Sequence, residues 1–213
     1  MIKLENVYKS YGRELFEDFS LTIKDGEFLG IKGTSGSGKT TLLNMIGGIE
    51  KIDAGDISLG KMSYSRLNAK IQKKLFRYHI SFIFQNFGLL ENETVYENLS
   101  LVLKLNKIPK GFHKENIIKA LKRVNLDYVG LKAKPNTLSG GEQQRLAVAR
   151  VILSDNPVIL ADEPTGSLDE ANGDLVMQLL KSLNEKGKTV ITVTHSNRYD
   201  RLFSRTIYLA GKE

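Results

Sequence analysis

The stretch GTSGSGKT, at residues 33–40, limits the possible folds of this chain more than any other feature of its sequence. It matches the pattern G-x-x-x-x-G-K-[ST], in which a glycine-rich turn joins a strand to a helix and its backbone N–H groups surround a phosphate. The flanking sequence fits this context, because FLGIKG is a short apolar segment and GKTTLLNMIGG has apolar residues at helical intervals. The pattern predicts a phosphate-binding loop in an α/β fold; the alternative is a similar turn that holds no ligand.

The residues of this loop have different predicted tasks. Gly33, Gly36 and Gly38 allow the tight turn, and the start of the helix adds its dipole to the attraction for anions. Lys39 supplies a positive charge to the β- and γ-phosphates of a nucleotide, and Thr40 offers a hydroxyl to Mg²⁺. The loop residues predicted to bind the nucleotide are Gly33, Thr34, Ser35, Gly36, Ser37, Gly38, Lys39, Thr40 and Thr41.

Two further apolar segments end in residues that handle metal ions or protons. VILADE ends in Asp162 and Glu163, and TVITVTH ends in His195. Since ligands of parallel α/β sheets bind at the carboxyl ends of the strands, these ends and the phosphate-binding loop predict one site. There Asp162 is placed to hold Mg²⁺, Glu163 to polarise an attacking water and His195 to contact the γ-phosphate. The alternatives are helix-capping carboxylates and a structural histidine.

Composition narrows the class of protein. A chain of 213 residues with 41% hydrophobic and 26% charged residues is typical of one globular domain. Neither a run of about 18 apolar residues nor the apolar core of a signal peptide is present, so we expect a cytoplasmic location. The lack of cysteine excludes disulfides and thiolate metal sites. The net charge of +7 comes with 22 lysines and 9 arginines that are scattered rather than clustered, which argues against nucleic-acid binding.

Strands and helices alternate on both sides of a helical middle. Residues from roughly 90 to 137 place apolar side chains at helical intervals, as in ETVYENLSLVLKL and KENIIKALKRVNL. From residue 139 onward, helices alternate with short apolar strands in the manner of a parallel sheet, whereas IKLENVYKSYG and FSLTIKDGEF indicate strands near a turn. The pattern predicts an α/β core that is interrupted by a helical insertion.

The stretch LSGGEQQR, at residues 138–145, opens the helix that follows this insertion. Ser139, Gly140 and Gly141 precede an amphipathic helix whose unpaired N–H groups and positive dipole end would attract an anion. The alternative is a serine N-cap that binds no ligand and stabilises the helix by about 1 kcal/mol.

LSGGEQQR resembles the signature motif of ATP-binding-cassette (ABC) ATPases, and the other motifs of that family occur in the expected order along the whole chain. They are GTSGSGKTT, FIFQNF, VILADEP, GSLD and TVTHS. The resemblance implies a RecA-like P-loop NTPase core of α/β class, with an N-terminal antiparallel β portion and an inserted α-helical subdomain. A single domain would cover residues 1–213, with the core at about 1–88 and 155–213 and the helical subdomain at about 89–154.

The same resemblance implies roles for individual residues. Tyr11 would be the platform on which adenine stacks, Gln85 would sense Mg²⁺ and the attacking water, and Asp169 would communicate across a dimer. The implied catalytic residues are Glu163, His195, Gln85 and Lys39, and the implied metal-binding residues are Thr40, Gln85 and Asp162. The residues implied to reach the ATP of the partner subunit are Ser139, Gly140, Gly141 and Glu142.

The resemblance also implies partners. Two copies would pair head to tail, with ATP and Mg²⁺ as cofactors and with the signature turn of one copy covering the γ-phosphate bound by the other. The permease would be an integral membrane protein on a separate chain, so that the cassette lies on the inner face of the cell membrane.

One stretch, RYHISFIFQNFGLLENETVYENLSLVL, resembles the subgroup that includes macrolide and peptide exporters, lipoprotein-releasing complexes and the cell-division cassette. This favours export of an antimicrobial peptide, a bacteriocin or a drug. The alternatives are lipoprotein release and the non-transporting regulation of a membrane partner. The part FGLLENET, which would face the permease, is looser than the usual motif and leaves the cargo open.

Overall fold

The computed structural model describes residues 1–210, and the last three positions of the predicted domain 1–213 lie outside the described residues. Within this range the chain forms nine strands and six α-helices. In chain order they are β1 (Ile2–Ser10), β2 (Glu14–Ile23), β3 (Phe28–Gly33), α1 (Lys39–Ile46), β4 (Ala54–Leu59), β5 (Met62–Ser63), α2 (Ala69–Tyr78), β6 (Ile80–Ile83), α3 (Val95–Leu105), α4 (His113–Arg123), α5 (Gly140–Ser154), β7 (Val158–Asp162), α6 (Glu170–Glu185), β8 (Thr189–Val193) and β9 (Arg205–Leu209).

Five strands form a parallel sheet in the order β6-β7-β8-β3-β9. The central strands β3 and β8 are mostly apolar because both of their faces are covered, and nearly all of their residues are buried. Strands β7, β8 and β3 are neighbours, so their carboxyl ends lie at one edge of the sheet. The predicted convergence of three strand ends is therefore confirmed.

The other four strands form an antiparallel sheet in the order β2-β1-β4-β5. Its buried side chains, such as Leu4 of β1 and Ile23 of β2, share one apolar cluster with Ile31 of β3 and Leu42 of α1. The antiparallel sheet therefore packs against the parallel sheet and α1. This packing places Tyr11, just beyond the end of β1, in the same cleft as the loop that precedes α1.

Helices α3 to α6 contribute to a second apolar cluster. It joins Leu99 of α3 and Ile117 of α4 to Ile159 of β7 and Val176 of α6, and Leu146 of α5 belongs to the same cluster. Helix α5 therefore packs both on the inserted helices and on the sheet. The antiparallel portion, the parallel sheet and the helical insertion confirm the predicted fold class, while the exact division of the chain into two subdomains stays a prediction.

Within residues 1–210, no helix combines the length and the apolar character that crossing a bilayer requires.

Candidate functional site

The loop between β3 and α1 has the backbone geometry that its glycines allow. Gly38 has a φ of 90° and is the N-cap residue of α1. A Cβ atom at this position would lie 2.9 Å from the ring of Phe16. Any other residue would therefore combine backbone strain with a steric clash, so the turn requires glycine here.

The side chain of Lys39 folds back over this loop. Its Nζ donates hydrogen bonds to the carbonyl oxygens of Gly33 at 2.9 Å and Thr34 at 2.7 Å. Both acceptors are neutral carbonyl oxygens, so these two hydrogen bonds hold the Lys39 ammonium at the loop without neutralising its charge. A phosphate oxygen would bind this charge more strongly than a carbonyl oxygen does.

Thr40 and Asp162 are brought together from two segments of the chain. The Thr40 hydroxyl donates to Asp162 Oδ1 at 3.1 Å. Burial raises the pKa of the Asp162 carboxyl and the charge of Glu163 adds to this effect, although the Thr40 hydrogen bond and the Lys39 charge oppose it. A hydroxyl beside a half-buried carboxylate is a donor set that fits Mg²⁺, which prefers oxygen ligands and would offset the cost of the buried charge.

Glu163 and His195 form a pair at the ends of β7 and β8. His195 Nδ1 lies 2.9 Å from Glu163 Oε1, and the Glu163 N–H donates to the carbonyl of Val193 at 3.0 Å. Glu163 has a φ of 43°, in the left-handed region that non-glycine residues rarely adopt. Its second carboxylate oxygen, Oε2, is buried and has no hydrogen-bond partner among the described residues. Its hydrogen-bonding capacity is therefore unused in this structure, which is uncommon for a buried carboxylate oxygen.

These residues share one cleft of about 570 Å³ at the carboxyl edge of the parallel sheet. Its lining includes most of the predicted nucleotide-binding and catalytic residues: Tyr11, Gly33, Ser35, Gly36, Gly38, Lys39, Thr40, Thr41, Gln85, Glu163 and His195. Thr34 contributes its carbonyl to Lys39, and Ser37, in the same loop, is buried. The cleft also contains Arg13, which the sequence analysis missed and which donates to the Gly36 carbonyl at 3.3 Å.

The predicted signature residues lie outside this cleft. None of Ser139, Gly140, Gly141, Glu142 or Asp169 is among the described residues that line it. Ser139 is the N-cap of α5, and it exchanges hydrogen bonds with Glu142: the Glu142 N–H donates to Ser139 Oγ at 3.3 Å, and the Ser139 N–H donates to Glu142 Oε2 at 2.7 Å. The alternative interpretation of Ser139 as a helix cap is therefore correct as local structure, and it leaves a further role open.

Comparison with known proteins identifies the family. The family model described as ABC transporter matches residues 16–166. The ABC transporter ATP-binding protein MJ0796 of Methanocaldococcus jannaschii is 43% identical over an alignment of 222 positions, which covers 100% of this chain and 94% of that protein. The chain belongs to the ABC transporter family. It is an ATP-binding subunit, and like the family it is an ATPase.

A solved structure supports the same assignment at the level of the fold. It is a dimeric structure of a post-hydrolysis state of the MJ0796 cassette bound to ADP and Pi, with a TM-score of 0.91 and 39% identity over 100% of this chain and 97% of that chain. Relatives of both transport directions are similar to this ABC subunit. The spermidine/putrescine import protein PotA of Pasteurella multocida and the macrolide export protein MacB of Campylobacter jejuni are each 38% identical over the whole chain, which spans 56% and 33% of their lengths.

The start of α6 contacts the start of α5, which carries the predicted signature residues of this ABC subunit. Asp169 caps α6 by accepting from the N–H of Asn172 at 2.8 Å and from its side-chain amide at 2.7 Å. Arg145, in α5, donates to the side-chain oxygen of Asn172 at 2.5 Å. A Cβ atom on Gly141 would lie 2.5 Å from the same side chain, so glycine permits this close approach. Sequence analysis missed Asn172, because no motif marks it.

Proposed function

We propose that two copies of this ABC subunit hydrolyse ATP in a head-to-tail pair and drive an integral membrane permease on a separate chain. The observation that carries the proposal is the division of the predicted residues into two groups. One group lines a single cleft, and the signature group lies outside that cleft on the N-terminus of α5. A second copy would supply the missing group, and the dimeric cassette of MJ0796 supports this arrangement.

Within the cleft, each residue has a proposed task. Lys39 and the loop N–H groups bind the β- and γ-phosphates of ATP, and Thr40, Asp162 and Gln85 hold Mg²⁺. When bound, Mg²⁺ neutralises charge on the phosphate oxygens. Glu163 accepts a proton from the attacking water. The oxygen of this water bonds to the γ-phosphorus, and the bond between the γ-phosphorus and the bridging oxygen breaks, so that ADP leaves. His195 contacts Oε1 of Glu163 and so holds this carboxylate at the cleft.

Across the pair, the signature segment has the proposed task of closing the site of the other copy. Ser139, Gly140, Gly141 and Glu142 would face the γ-phosphate that the partner's loop holds, where the helix dipole of α5 adds to the attraction. Asp169 would communicate between the copies, since it caps the helix that contacts α5 through Asn172. Release of phosphate removes the shared anion and would let the pair open.

A groove beside Gln85 supports a docking site for the permease. It has a volume of about 260 Å³ and lies between α2, β6, α3 and α5. Its lining is mostly apolar and includes Phe76, Phe82, Phe84 and Leu105. The loop that follows, from residue 87 to residue 94, exposes Leu90 to 47%. A contact here would place the permease next to Gln85, which lines the ATP cleft.

A crosslinking experiment tests the docking proposal. We expect a photo-crosslinking amino acid in place of Leu90 to capture one membrane protein in intact cells, because the groove and this loop would face the permease. The same amino acid in place of Tyr208, which is exposed to 70% on β9, serves as the control. Mass spectrometry identifies the captured protein. Equal capture from both positions, or capture from Tyr208 alone, would contradict the docking site.

The identity of the captured protein also decides between the proposed transport roles. We propose export of an antimicrobial peptide, a bacteriocin or a drug, supported by the similarity to the macrolide export protein MacB. The import protein PotA is equally similar in identity, so the comparisons leave the direction open. Capture of a lipoprotein-releasing or a regulatory membrane protein would favour the alternatives. In each case the subunit would be cytoplasmic and would lie on the inner face of the membrane through the permease.

Substitution of Asp162 tests the Mg²⁺ site. We expect Asp162→Asn to lower Mg²⁺-dependent ATP turnover by about ten-fold or more, because a carboxylate that orients the metal is lost. The same change should stabilise the nucleotide-free protein at pH 7. Burial raises the pKa of the Asp162 carboxyl in the folded chain. This carboxyl therefore contributes most to the stability of the fold below its ordinary pKa, and the contribution is lost as the pH rises through the raised pKa.

Urea unfolding without nucleotide, measured from pH 7 down to about pH 4, the ordinary pKa of an aspartate, checks the second expectation. The stability difference between Asp162→Asn and the parent should narrow as the pH falls and the parent carboxyl takes up its proton. Asp174→Asn is the control, because hydrogen bonding by Arg198 lowers the pKa of Asp174 and its loss should destabilise instead. Full Mg²⁺-dependent activity of Asp162→Asn would remove this residue from the metal site.

A further inference from the structure

The side chain of Lys9, in β1, is buried although it carries a charge, with 7% of the residue exposed. Its Nζ lies 2.7 Å from Glu50 Oε1, 2.8 Å from the carbonyl oxygen of Lys51 and 3.5 Å from Asp53 Oδ1. All three partners lie in the segment that follows α1. A buried ammonium with this many acceptors has a fixed position rather than a range of rotamers.

The same ammonium lies over the ring of Tyr11, 4.6 Å from the ring centroid. The carboxylate of Glu50 also interacts with the Tyr11 hydroxyl and raises the pKa of this phenol, so Glu50 acts on both side chains. Tyr11 remains 56% exposed and lines the ATP cleft. One face of the ring is therefore covered by the Lys9 ammonium, and the ring is held at its hydroxyl end.

Lys9 and Glu50 both stay charged at neutral pH. Burial by itself lowers the pKa of Lys9, but the hydrogen bond and the charge of Glu50 outweigh it and leave the pKa above its ordinary value. The Lys9 hydrogen bond holds the pKa of Glu50 below its ordinary value. Burial raises the pKa of the Tyr11 phenol, and the Glu50 hydrogen bond acts in the same direction, so the phenol stays neutral.

The backbone around Tyr11 is tied to the same segment. Asp53 accepts from the Ser10 N–H at 2.7 Å, and the Asp53 N–H donates to the Tyr8 carbonyl at 2.9 Å. The segment that carries Glu50 and Asp53 begins just after α1, the helix that the phosphate-binding loop opens. The ring of Tyr11 and the phosphate-binding loop are thereby connected through one helix and one short segment.

We propose that Lys9 is a positioning residue, which together with Glu50 fixes the Tyr11 ring so that its uncovered face is ready for the nucleotide base. This inference rests on the proposed role of Tyr11 as the platform for adenine. A side chain that is ordered before the ligand arrives loses less conformational entropy on binding. Lys9 would therefore strengthen the binding of nucleotides through the base and leave the binding of the phosphates unchanged.

Two ligands separate these contributions. ADP carries the base, and inorganic pyrophosphate carries only the phosphates. We expect Lys9→Met to raise the Kd of ADP about two- to ten-fold and to leave the Kd of pyrophosphate unchanged, as measured by isothermal titration calorimetry. Lys51→Met is the matched control, because it removes the same charge from an exposed side chain in the neighbouring segment. Lys9→Arg, which keeps a cation over the ring, should restore part of the affinity for ADP.

Several outcomes would overturn the inference. One is an equal loss of ADP and pyrophosphate binding in Lys9→Met, since this indicates a general effect of charge or folding. Another is an unchanged Kd of ADP in Lys9→Met together with weaker ADP binding in Tyr11→Ala. This result would support Tyr11 as the platform and remove the positioning role of Lys9. An unchanged Kd of ADP in Tyr11→Ala would instead overturn the platform itself and the inference with it.

A second variant keeps the test decisive if Lys9→Met does not fold, which circular dichroism and urea unfolding would reveal. Tyr11→Phe removes only the hydroxyl that interacts with Glu50, and it keeps both the ring and the Lys9 ammonium. We expect it to weaken ADP binding by a smaller factor than Tyr11→Ala and to leave pyrophosphate binding unchanged. ADP binding by Tyr11→Phe at the parental affinity would count against the fixed ring.

Discussion

Glu163→Gln is expected to lower ATP turnover by about 100-fold or more while the affinity for ATP stays unchanged. Glutamine keeps the size and a hydrogen-bonding group beside His195, but its amide cannot accept the proton of the attacking water. The phosphate-binding loop and Lys39 are untouched, so ATP still binds. Because the γ-phosphate is then not removed, the ATP-bound pair of copies should accumulate. Size-exclusion chromatography in the presence of ATP measures the fraction of the protein in this pair.

The control for this substitution is Glu91→Gln, which makes the same change at an exposed position in the loop before α3. It should hydrolyse ATP at the parental rate and should not accumulate as a pair. Parental turnover by Glu163→Gln would remove Glu163 from the role of base. If Glu163→Gln hydrolyses ATP slowly but stays monomeric with ATP, Glu163 would keep the role of base. The proposal that the γ-phosphate holds two copies together would then be contradicted.

The cleft could be predicted because its residues follow short-range patterns. β3, β7 and β8 are mostly apolar, since strands inside a parallel sheet are covered on both faces. Each run ends at the edge where ligands of such sheets bind, which is why the sequence alone predicts one site for Lys39, Asp162, Glu163 and His195. The structure brings these side chains together in the cleft or directly beside it.

Other elements carry weaker patterns and were not predicted. Helix α2 has charged or amide side chains at five of its ten positions, and Leu75 is its one buried residue. Strand β5 is two residues long, too short to show an alternation of apolar and polar side chains. Their positions depend on packing against segments that are distant in the sequence.

The contacts that connect the parts of the site are also invisible in the sequence. Lys9 meets Glu50, and Arg145 meets Asn172, through pairs of segments that only the folded chain brings together. A lysine in a strand or an asparagine in the first turn of a helix is ordinarily a solvated or a capping residue. Sequence motifs thus identified the groups that would touch ATP, whereas the groups that hold them in place required the structure.

Ser139→Arg is expected to abolish the ATP-dependent pairing of copies and to lower turnover by about 100-fold, while the isolated subunit binds ATP as before. Ser139 lies outside the ATP cleft of its own chain, so the change should not affect Lys39 or the loop. In a head-to-tail pair, however, the arginine would occupy the space in which the partner's γ-phosphate meets the start of α5. Sedimentation with and without ATP measures the pairing, and calorimetry measures the binding of ATP.

The structure supplies a matched control for the loss of the helix cap. Thr94 caps α3 through the same reciprocal exchange, with Glu97, that Ser139 makes with Glu142. Both Ser139→Arg and Thr94→Arg lose a cap, which costs about 1 kcal/mol of stability, but only the first places an arginine at the proposed interface. Thr94→Arg should therefore pair and hydrolyse ATP almost normally. Normal pairing by Ser139→Arg, or equal damage by both variants, would mean that the signature turn does not close the site of a second copy.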